Sequence, residues 1–168
     1  VLLVCCGSDH TVLMTTGGKV YTFGSNYYGE LGIDNKNIQH VSAPCAVAGL
    51  PEITIISCGY QHTMCIDSEG YLWAFGRNED GELGLGDCDN RSIPEKNPHL
   101  YNVRVLSRGG NHTIVKDSTE TIYVFGSNTG GQLGRSLDGK FYCTPQPLPI
   151  SASKMLSTVQ SSAKSARK

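Results

Sequence analysis

The segment CGYQHT at residues 58–63 decides the fold, because the chain contains three versions of it. CGSDHT occupies residues 6–11 and RGGNHT occupies residues 108–113, at offsets of 52 and 50 residues. Two further motifs recur at nearly the same offsets. The first is FGSN, FGRN and FGSN at residues 23–26, 75–78 and 125–128, and the second is GELG, GELG and GQLG at residues 29–32, 81–84 and 131–134. Several independent marks in register, at a period near 50 residues, indicate a tandem repeat architecture.

Each repeat is predicted to form four short β-strands. In the middle repeat, ITIIS (53–57), HTMCI (62–66) and YLWAF (71–75) are β-branched or aromatic runs, and such runs favour strands. SIP at 92–94 suits an outer edge strand, because proline cannot donate a hydrogen bond to a ladder. No helical periodicity occurs in residues 1–150. The sequence therefore predicts an all-β fold of β-propeller blades, each with four antiparallel strands.

The repeats divide the chain into three units at about residues 1–52, 53–102 and 103–150. Residues 151–168 are predicted to contain the degenerate start of a fourth repeat and a Ser/Lys-rich tail, because the alignment loses its glycine and histidine there.

The order of these marks resembles the RCC1-like family of repeats, named after the regulator of chromosome condensation. That signature runs G-x-x-H-T, an apolar strand, D-x-x-G, an aromatic strand ending in F-G or W-G, N-x-x-G-x-L-G and a proline. Arg108 departs from it by replacing the small residue or cysteine that usually precedes the glycine. The resemblance implies a partial propeller of about three blades from a parent of about seven.

A three-blade arc would leave two blade faces uncovered. Three interpretations stay open: a fragment of a larger propeller, which we favour, a ring closed by self-association, or an open arc capped by a partner.

The charge distribution excludes one class of partner for most of the chain. Residues 1–150 contain 10 basic and 15 acidic residues, whereas residues 151–168 contain four basic residues and no acidic one. Nucleic-acid binding requires a face rich in lysine and arginine, so only the tail could bind a nucleic acid. No apolar run approaches the roughly 18 residues of a membrane span, and no membrane partner is predicted.

Seven cysteines occur without a CxxC pair or a zinc-finger spacing of cysteine and histidine. We predict no metal and no cofactor. The cysteines are expected to be thiols, several of them buried as small hydrophobic groups, in a reducing compartment such as the cytoplasm or nucleus.

The histidines His10, His62 and His112 share one repeat position, so we predict a structural role for them rather than a metal or catalytic site. The preceding glycine is expected to have a positive φ angle, and the histidine and threonine to bind neighbouring backbone groups. Aromatic residues at shared positions predict packing between blades: Tyr21, Trp73 and Tyr123, and Phe23, Phe75 and Phe125.

Residues that vary within the repeat frame are the candidates for function, because the frame forms the fold and the variable loops form the surface. We predict a non-enzymatic protein-interaction module with no catalytic residue, in which stiff, exposed tyrosines anchor a partner domain or peptide. The partner-binding candidates are Ser8, Asp9, Tyr60, Gln61 and Asn111 in the G-x-x-H loops, and Tyr27, Tyr28, Glu79 and Asp80 in the N-x-x-G loops.

The alternative function follows from the resemblance alone. The founding branch of the family acts as a guanine-nucleotide exchange factor for a Ran-type small GTPase, using acidic and histidine residues near the His-Thr step. The matching residues in this chain are Asp9, Gln61 and His62.

Overall fold

The computed structural model describes residues 1–35, 37–135 and 139–149, and they form three four-stranded antiparallel sheets. Each sheet is one blade, and the prediction of an all-β propeller fold is confirmed. Blade 1 contains β1 (Leu3–Cys6), β2 (His10–Met14), β3 (Val20–Ser25) and β4 (His40–Ala46); blade 2 contains β5 (Ile53–Cys58), β6 (His62–Asp67), β7 (Leu72–Gly76) and β8 (Arg91–Lys96); blade 3 contains β9 (Val103–Arg108), β10 (His112–Asp117), β11 (Ile122–Ser127) and β12 (Phe141–Pro147).

The predicted fourth repeat and tail at 151–168 lie outside the described residues. Among the described residues there is no helix of the length and hydropathy that a membrane span requires.

The outer strand of each blade contains the repeat proline, as predicted for an edge strand. Pro44, Pro94 and Pro145 lie in β4, β8 and β12, which pair only with the third strand of their blade. The ladder between the third and fourth strands shifts register at the F-G step in every blade, between Ala74 and Gly76 in blade 2. A proline is tolerated there because its missing N–H faces away from a partner strand.

The strand order within each sheet follows the chain order, and the first strands lie side by side. β1 contacts β5, and β5 contacts β9, so the first strands form the inner edge of the arc. Because the strands alternate in direction, the loops after the first and third strands of every blade open on the same side of the arc. We call this side the loop face.

The hydrophobic core lies between the blades rather than inside any one of them. Phe75 of blade 2 is buried against blade 1, and Phe125 of blade 3 is buried against blade 2. The predicted role in blade packing is therefore confirmed for Phe75 and Phe125, whereas Phe23 of blade 1 is half-buried and belongs to neither interface. The first interface buries Val12, Met14, Val20, Ile53, Ile56 and Cys65, and the second buries Met64, Ile66, Leu72, Ala74, Leu83, Leu85, Leu100, Val103 and Val115.

The G-x-L-G step explains how one blade receives the next. Gly32 and Gly84 have φ angles of 65° and 67°, a conformation that side chains disfavour. A Cβ atom at Gly32 would lie 2.8 Å from the Phe75 ring, and one at Gly84 would lie 2.7 Å from the Phe125 ring. Glycine is therefore required twice over, for its backbone conformation and for the ring that packs on it.

The glycine of the G-x-x-H motif is required for another reason than the one predicted. Gly59 lies outside the left-handed region, so the expectation of a positive φ angle is wrong. A Cβ atom at this position would instead overlap the imidazole ring of His62, and the same holds for Gly7 with His10 and Gly109 with His112. The missing side chain makes room for the histidine ring.

The threonine of the motif binds a backbone group, as predicted, but that group belongs to the preceding blade. The same prediction is wrong for the histidine: His10 Nε2 lies 3.0 Å from the Thr63 hydroxyl, and the ring nitrogens of His62 have no hydrogen-bond partner within the described part of the chain. Thr63 Oγ1 donates to the carbonyl oxygen of Glu30 over 2.9 Å, and Thr113 Oγ1 donates to that of Glu82 over 2.9 Å. Both threonines are fully buried. A buried hydrogen bond of this kind fixes the angle between neighbouring blades as well as their distance.

We expect Gly59→Ala to destabilise the fold by about 1–3 kcal/mol, because the added methyl group overlaps a buried ring that cannot move away. Gly17→Ala is the matched control: no atom lies within 4 Å of its Cβ position, and it should be neutral or more stable by up to about 1 kcal/mol. Urea unfolding followed by the fluorescence of Trp73 measures both. Equal stability of the two variants would contradict the packing role of Gly59.

Candidate functional site

The two loop types that carry the predicted binding residues are joined within each blade. The Ser25 N–H donates to the carbonyl oxygen of Asp9 over 2.8 Å, and the Arg77 N–H donates to that of Gln61 over 2.9 Å. Blade 3 repeats this bond from Ser127 to Asn111 over 2.8 Å. The loop face is therefore a connected surface, in which strands fix the backbone and the variable side chains stand on it.

At the inner end of the loop face, the G-x-x-H loops of the three blades are bonded in series. The backbone N–H and the hydroxyl of Ser8 both donate to the carbonyl oxygen of Tyr60, over 2.9 Å and 2.8 Å. The Tyr60 N–H in turn donates to the carbonyl oxygen of Gly110 over 3.0 Å. These three loops surround a hollow of about 350 Å³, which we call the channel mouth. It is lined by Cys6, Gly7, Ser8, Cys58, Gly59, Tyr60, Arg108, Gly109 and Gly110.

Tyr60 stands at this mouth with 62% of its surface exposed, and its ring covers Gly110. Asp9 is also exposed, whereas Gln61 and Asn111 are half-buried. The structure thus brings these candidates together near the inner strands.

A second hollow lies farther out, where blade 1 meets blade 2. It has a volume of about 240 Å³ and is lined by Asn26, Tyr27, Tyr28, Gly29, Asn90 and Ser92. Tyr27 is 59% exposed and packs edge-on against His40, with 5.0 Å between the ring centroids and 3.1 Å between the Tyr27 hydroxyl and His40 Nε2. We call this hollow the tyrosine groove.

The buried carboxylate of Glu30 holds the backbone of the tyrosine groove. Its Oε1 accepts from the Ser25 hydroxyl over 2.6 Å, and its Oε2 accepts from the Tyr28 N–H over 2.7 Å. Glu30 is 1% exposed. It orders the loop from inside, so the tyrosines project from a fixed backbone.

Glu79 and Asp80 lie on the loop face but are already paired with Arg77. The guanidinium reaches Glu79 and Asp80 at 2.9 Å each, and the fully buried Glu82 at 2.7 Å. Burial lowers the pKa of Arg77, but the hydrogen bond to Asp80 and the charge of Glu82 outweigh it and raise that pKa above its ordinary value. Asp80 also accepts from Asn111 Nδ2 over 3.2 Å, which ties blade 3 to this cluster.

His62, which the resemblance placed on an exchange surface, is fully buried in the structure. Its ring stacks against Gly59 between the blades, so no partner can contact it and it leaves the list of candidates. Burial lowers the pKa of His62 well below its ordinary value and, in the same way, lowers the pKa of His10 to about 4. Both rings are neutral at pH 7, which suits a packing role.

The cysteine prediction is wrong for one pair, because Cys5 and Cys58 form a disulfide with their Cα atoms 6.0 Å apart. The bond joins the inner strands of blades 1 and 2. A disulfide is uncommon in the cytoplasm or nucleus, the compartments predicted from the cysteine usage. Cys6, Cys45, Cys65, Cys88 and Cys143 are free.

Between blades 2 and 3, the position equivalent to this disulfide holds a hydrogen bond. The repeat register aligns Cys5 with Ser57 and Cys58 with Arg108, and the Arg108 Nη2 donates to the Ser57 hydroxyl. The sequence marks Arg108 as a departure from the repeat, but its contact with Ser57 depends on the fold.

Comparison with protein-family models finds the regulator of chromosome condensation (RCC1) repeat at residues 17–66 and 69–115. A second model with the same description matches residues 1–30 and 53–82. The two matches of the first model together span more than half of the chain.

Individual proteins match shorter stretches. The X-linked retinitis pigmentosa GTPase regulator of the dog (Canis lupus familiaris) is 43% identical over 89 residues, which are 52% of this chain and 9% of that protein. The human probable E3 ubiquitin-protein ligase HERC4 is 39% identical over 97 residues, which are 56% of this chain and 9% of that protein. The chain thus spans about a tenth of the length of these relatives.

Among solved structures, Prp20p from Saccharomyces cerevisiae superimposes with a TM-score of 0.77 at 23% identity. The match covers 90% of this chain and 37% of that one. At this identity the likeness shows the shared fold alone.

The buried histidines make the stability depend on pH. The unfolded chain takes up protons on His10 and His62 below about pH 6.5, whereas the folded chain keeps both rings neutral. Because the unfolded state binds more protons, the free energy of unfolding should fall as the pH falls from 7 to 5, by up to about 1.4 kcal/mol per pH unit for each histidine.

Urea unfolding at a series of pH values between 7 and 5 measures this slope. His62→Leu should reduce the slope by about the contribution of one histidine. A stability that does not change over this range would contradict the burial of neutral histidines.

Proposed function

This chain belongs to the regulator of chromosome condensation (RCC1) repeat family, and we propose that it is a non-enzymatic protein-interaction module whose loop face binds a partner protein. The observation that carries the proposal is the joining of both loop types, from all three blades, into one backbone-bonded surface. A surface of this kind offers variable side chains on a fixed frame, and such frames commonly carry binding functions.

Exposed tyrosines are the proposed anchors of the partner. Tyr27 at the tyrosine groove and Tyr60 at the channel mouth project from loops whose backbone is hydrogen-bonded. Tyrosine supplies a large contact area with few rotatable bonds, so its ordering on binding costs little. The proposed surface also includes the other variable loop residues: Ser8, Asp9, Tyr28, Gln61, Glu79, Asp80 and Asn111.

The names of the related proteins agree with a protein partner. One relative is described as a GTPase regulator, and the yeast structure was studied for its binding to Gsp1p and histones. The ligase name of a third relative belongs to a protein of which the matching segment is 9%, so that activity is not part of the proposal.

The binding proposal predicts that Tyr27→Ala with Tyr28→Ala weakens partner binding by at least tenfold, because both changes empty the tyrosine groove of its aromatic walls. Tyr101→Ala is the matched control, since Tyr101 is 68% exposed but follows the fourth strand of blade 2, on the side opposite the loop face. The measurement is capture of a partner from an extract by the 168-residue chain, followed by titration calorimetry with the purified partner.

A partner whose affinity falls equally with Tyr101→Ala would place the binding surface elsewhere. A partner unaffected by both variants would remove Tyr27 and Tyr28 from the surface.

Guanine-nucleotide exchange on a Ran-type small GTPase is the second candidate, and the exposure of Asp9 in the first G-x-x-H loop favours it. Asp9 and Gln61 are its remaining residues, because His62 is buried. If the chain is an exchange factor, it should accelerate the release of fluorescent GDP from such a GTPase, and Asp9→Ala should reduce the acceleration by tenfold or more.

Absence of any acceleration by folded chain, with circular dichroism confirming its β-structure, would exclude exchange. It would leave the binding proposal unaffected.

A further inference from the structure

Arg108 lines the channel mouth at a position where the repeat otherwise has a cysteine. It ends the inner strand β9 and lines the hollow beside Gly109, Gly110 and Tyr60. Its Nη2 donates to the Ser57 hydroxyl, whereas its Nε and Nη1 atoms are buried and have no hydrogen-bond partner within the described part of the chain. A guanidinium has five N–H donors, so most of its capacity is unused.

The groups around Arg108 do not balance its charge. His10, His62 and Cys65 are the titratable groups that interact with it most directly. Burial lowers the pKa of both histidines, and it raises the pKa of the Cys65 thiol to about 12, so all three are neutral at pH 7. Burial also lowers the pKa of Arg108 to about 9, which leaves the guanidinium charged.

Two arginines of blade 2 show what a satisfied guanidinium looks like in this protein. Arg77 is paired with three carboxylates, and Arg91 pairs with Asp87 at 2.6 Å and with Glu95. Arg108 has no carboxylate within ion-pair distance among the described residues. A buried charge without a partner is costly, and an oxyanion such as a carboxylate matches the geometry of a guanidinium in bidentate contact.

We propose that Arg108 is an anion-binding residue, and that it receives a carboxylate group of the partner protein at the channel mouth. The source of that carboxylate rests on the proposed function, whereas the site itself does not. Because Nε and Nη1 are buried in this conformation, binding requires the side chain to leave Ser57 and turn these donors toward the hollow. The arginine stem has the rotatable bonds for this movement. A carboxylate is the proposed occupant because it is the anion that a partner protein presents on its surface and the one that Arg77 and Arg91 bind in this chain.

The test uses sodium acetate as the probe and the Nε–H signals of the arginines in two-dimensional ¹⁵N NMR spectra of the 168-residue chain. Ionic strength is held constant with sodium chloride. We expect the Arg108 signal to move saturably, with a half-point on the order of 10–100 mM acetate. The signals of Arg77 and Arg91 serve as internal controls and should stay in place, because their donors are already engaged.

A second arm uses inorganic phosphate at the same ionic strength, and a third uses Arg108→Met. The backbone signals of Gly109 and Gly110 should move with acetate in the unaltered chain and stay fixed in the variant. An Arg108 signal that responds equally to chloride and acetate, or to phosphate but not to acetate, would overturn the proposal.

The experiment distinguishes failure of the anion site from failure of the proposed binding function. A saturable acetate response in a chain that captures no partner would preserve the site and contradict the module. Partner binding without an acetate response would support the module and overturn the anion site at Arg108.

Discussion

Each blade depends on its neighbour, because a four-stranded sheet buries too little apolar surface by itself. The joint is made by a phenylalanine that lies on a glycine turn of the preceding blade, as Phe75 does on Gly32. The Thr63 hydroxyl adds a buried hydrogen bond to the same turn, at Glu30. The hydrophobic contact supplies the stabilisation and the hydrogen bond supplies the direction. The position of every loop on the loop face follows from this joint.

Because only a few repeat positions form the contact between blades, the remaining loop positions are free to serve binding. In the G-x-x-H-T segment, glycine, histidine and threonine are all occupied by contacts inside the protein, and the two residues between them are left to the surface. Tyr60 and Gln61 fill those positions in blade 2. The burial of His62 is a consequence of the same division. A histidine at a frame position is therefore a poor candidate for contact with a partner, however well it matches a related protein.

The sequence predicted the elements that repeat along the chain, but not the individual contacts that explain some of the repeated residues. Strand positions, the edge prolines and the packing of Phe75 and Phe125 all follow from a pattern with a period near 50 residues. The reason for Gly59 does not, because it lies in the ring of His62 rather than in the backbone angle. The candidate surface was predicted as a set of loops, but its connection through backbone bonds required the fold.

The joint between inner strands shows how one geometric position can carry different chemistry. The position that holds a disulfide between Cys5 and Cys58 holds Ser57 and Arg108 one blade later. A disulfide leaves no hydrogen-bond donor without a partner, whereas a guanidinium bound to a single hydroxyl leaves buried N–H donors unused. A frame selected for stability alone would favour the first solution or an apolar pair. The less stable solution, placed where three loops meet, is the arrangement expected of a residue that serves binding at the expense of the fold.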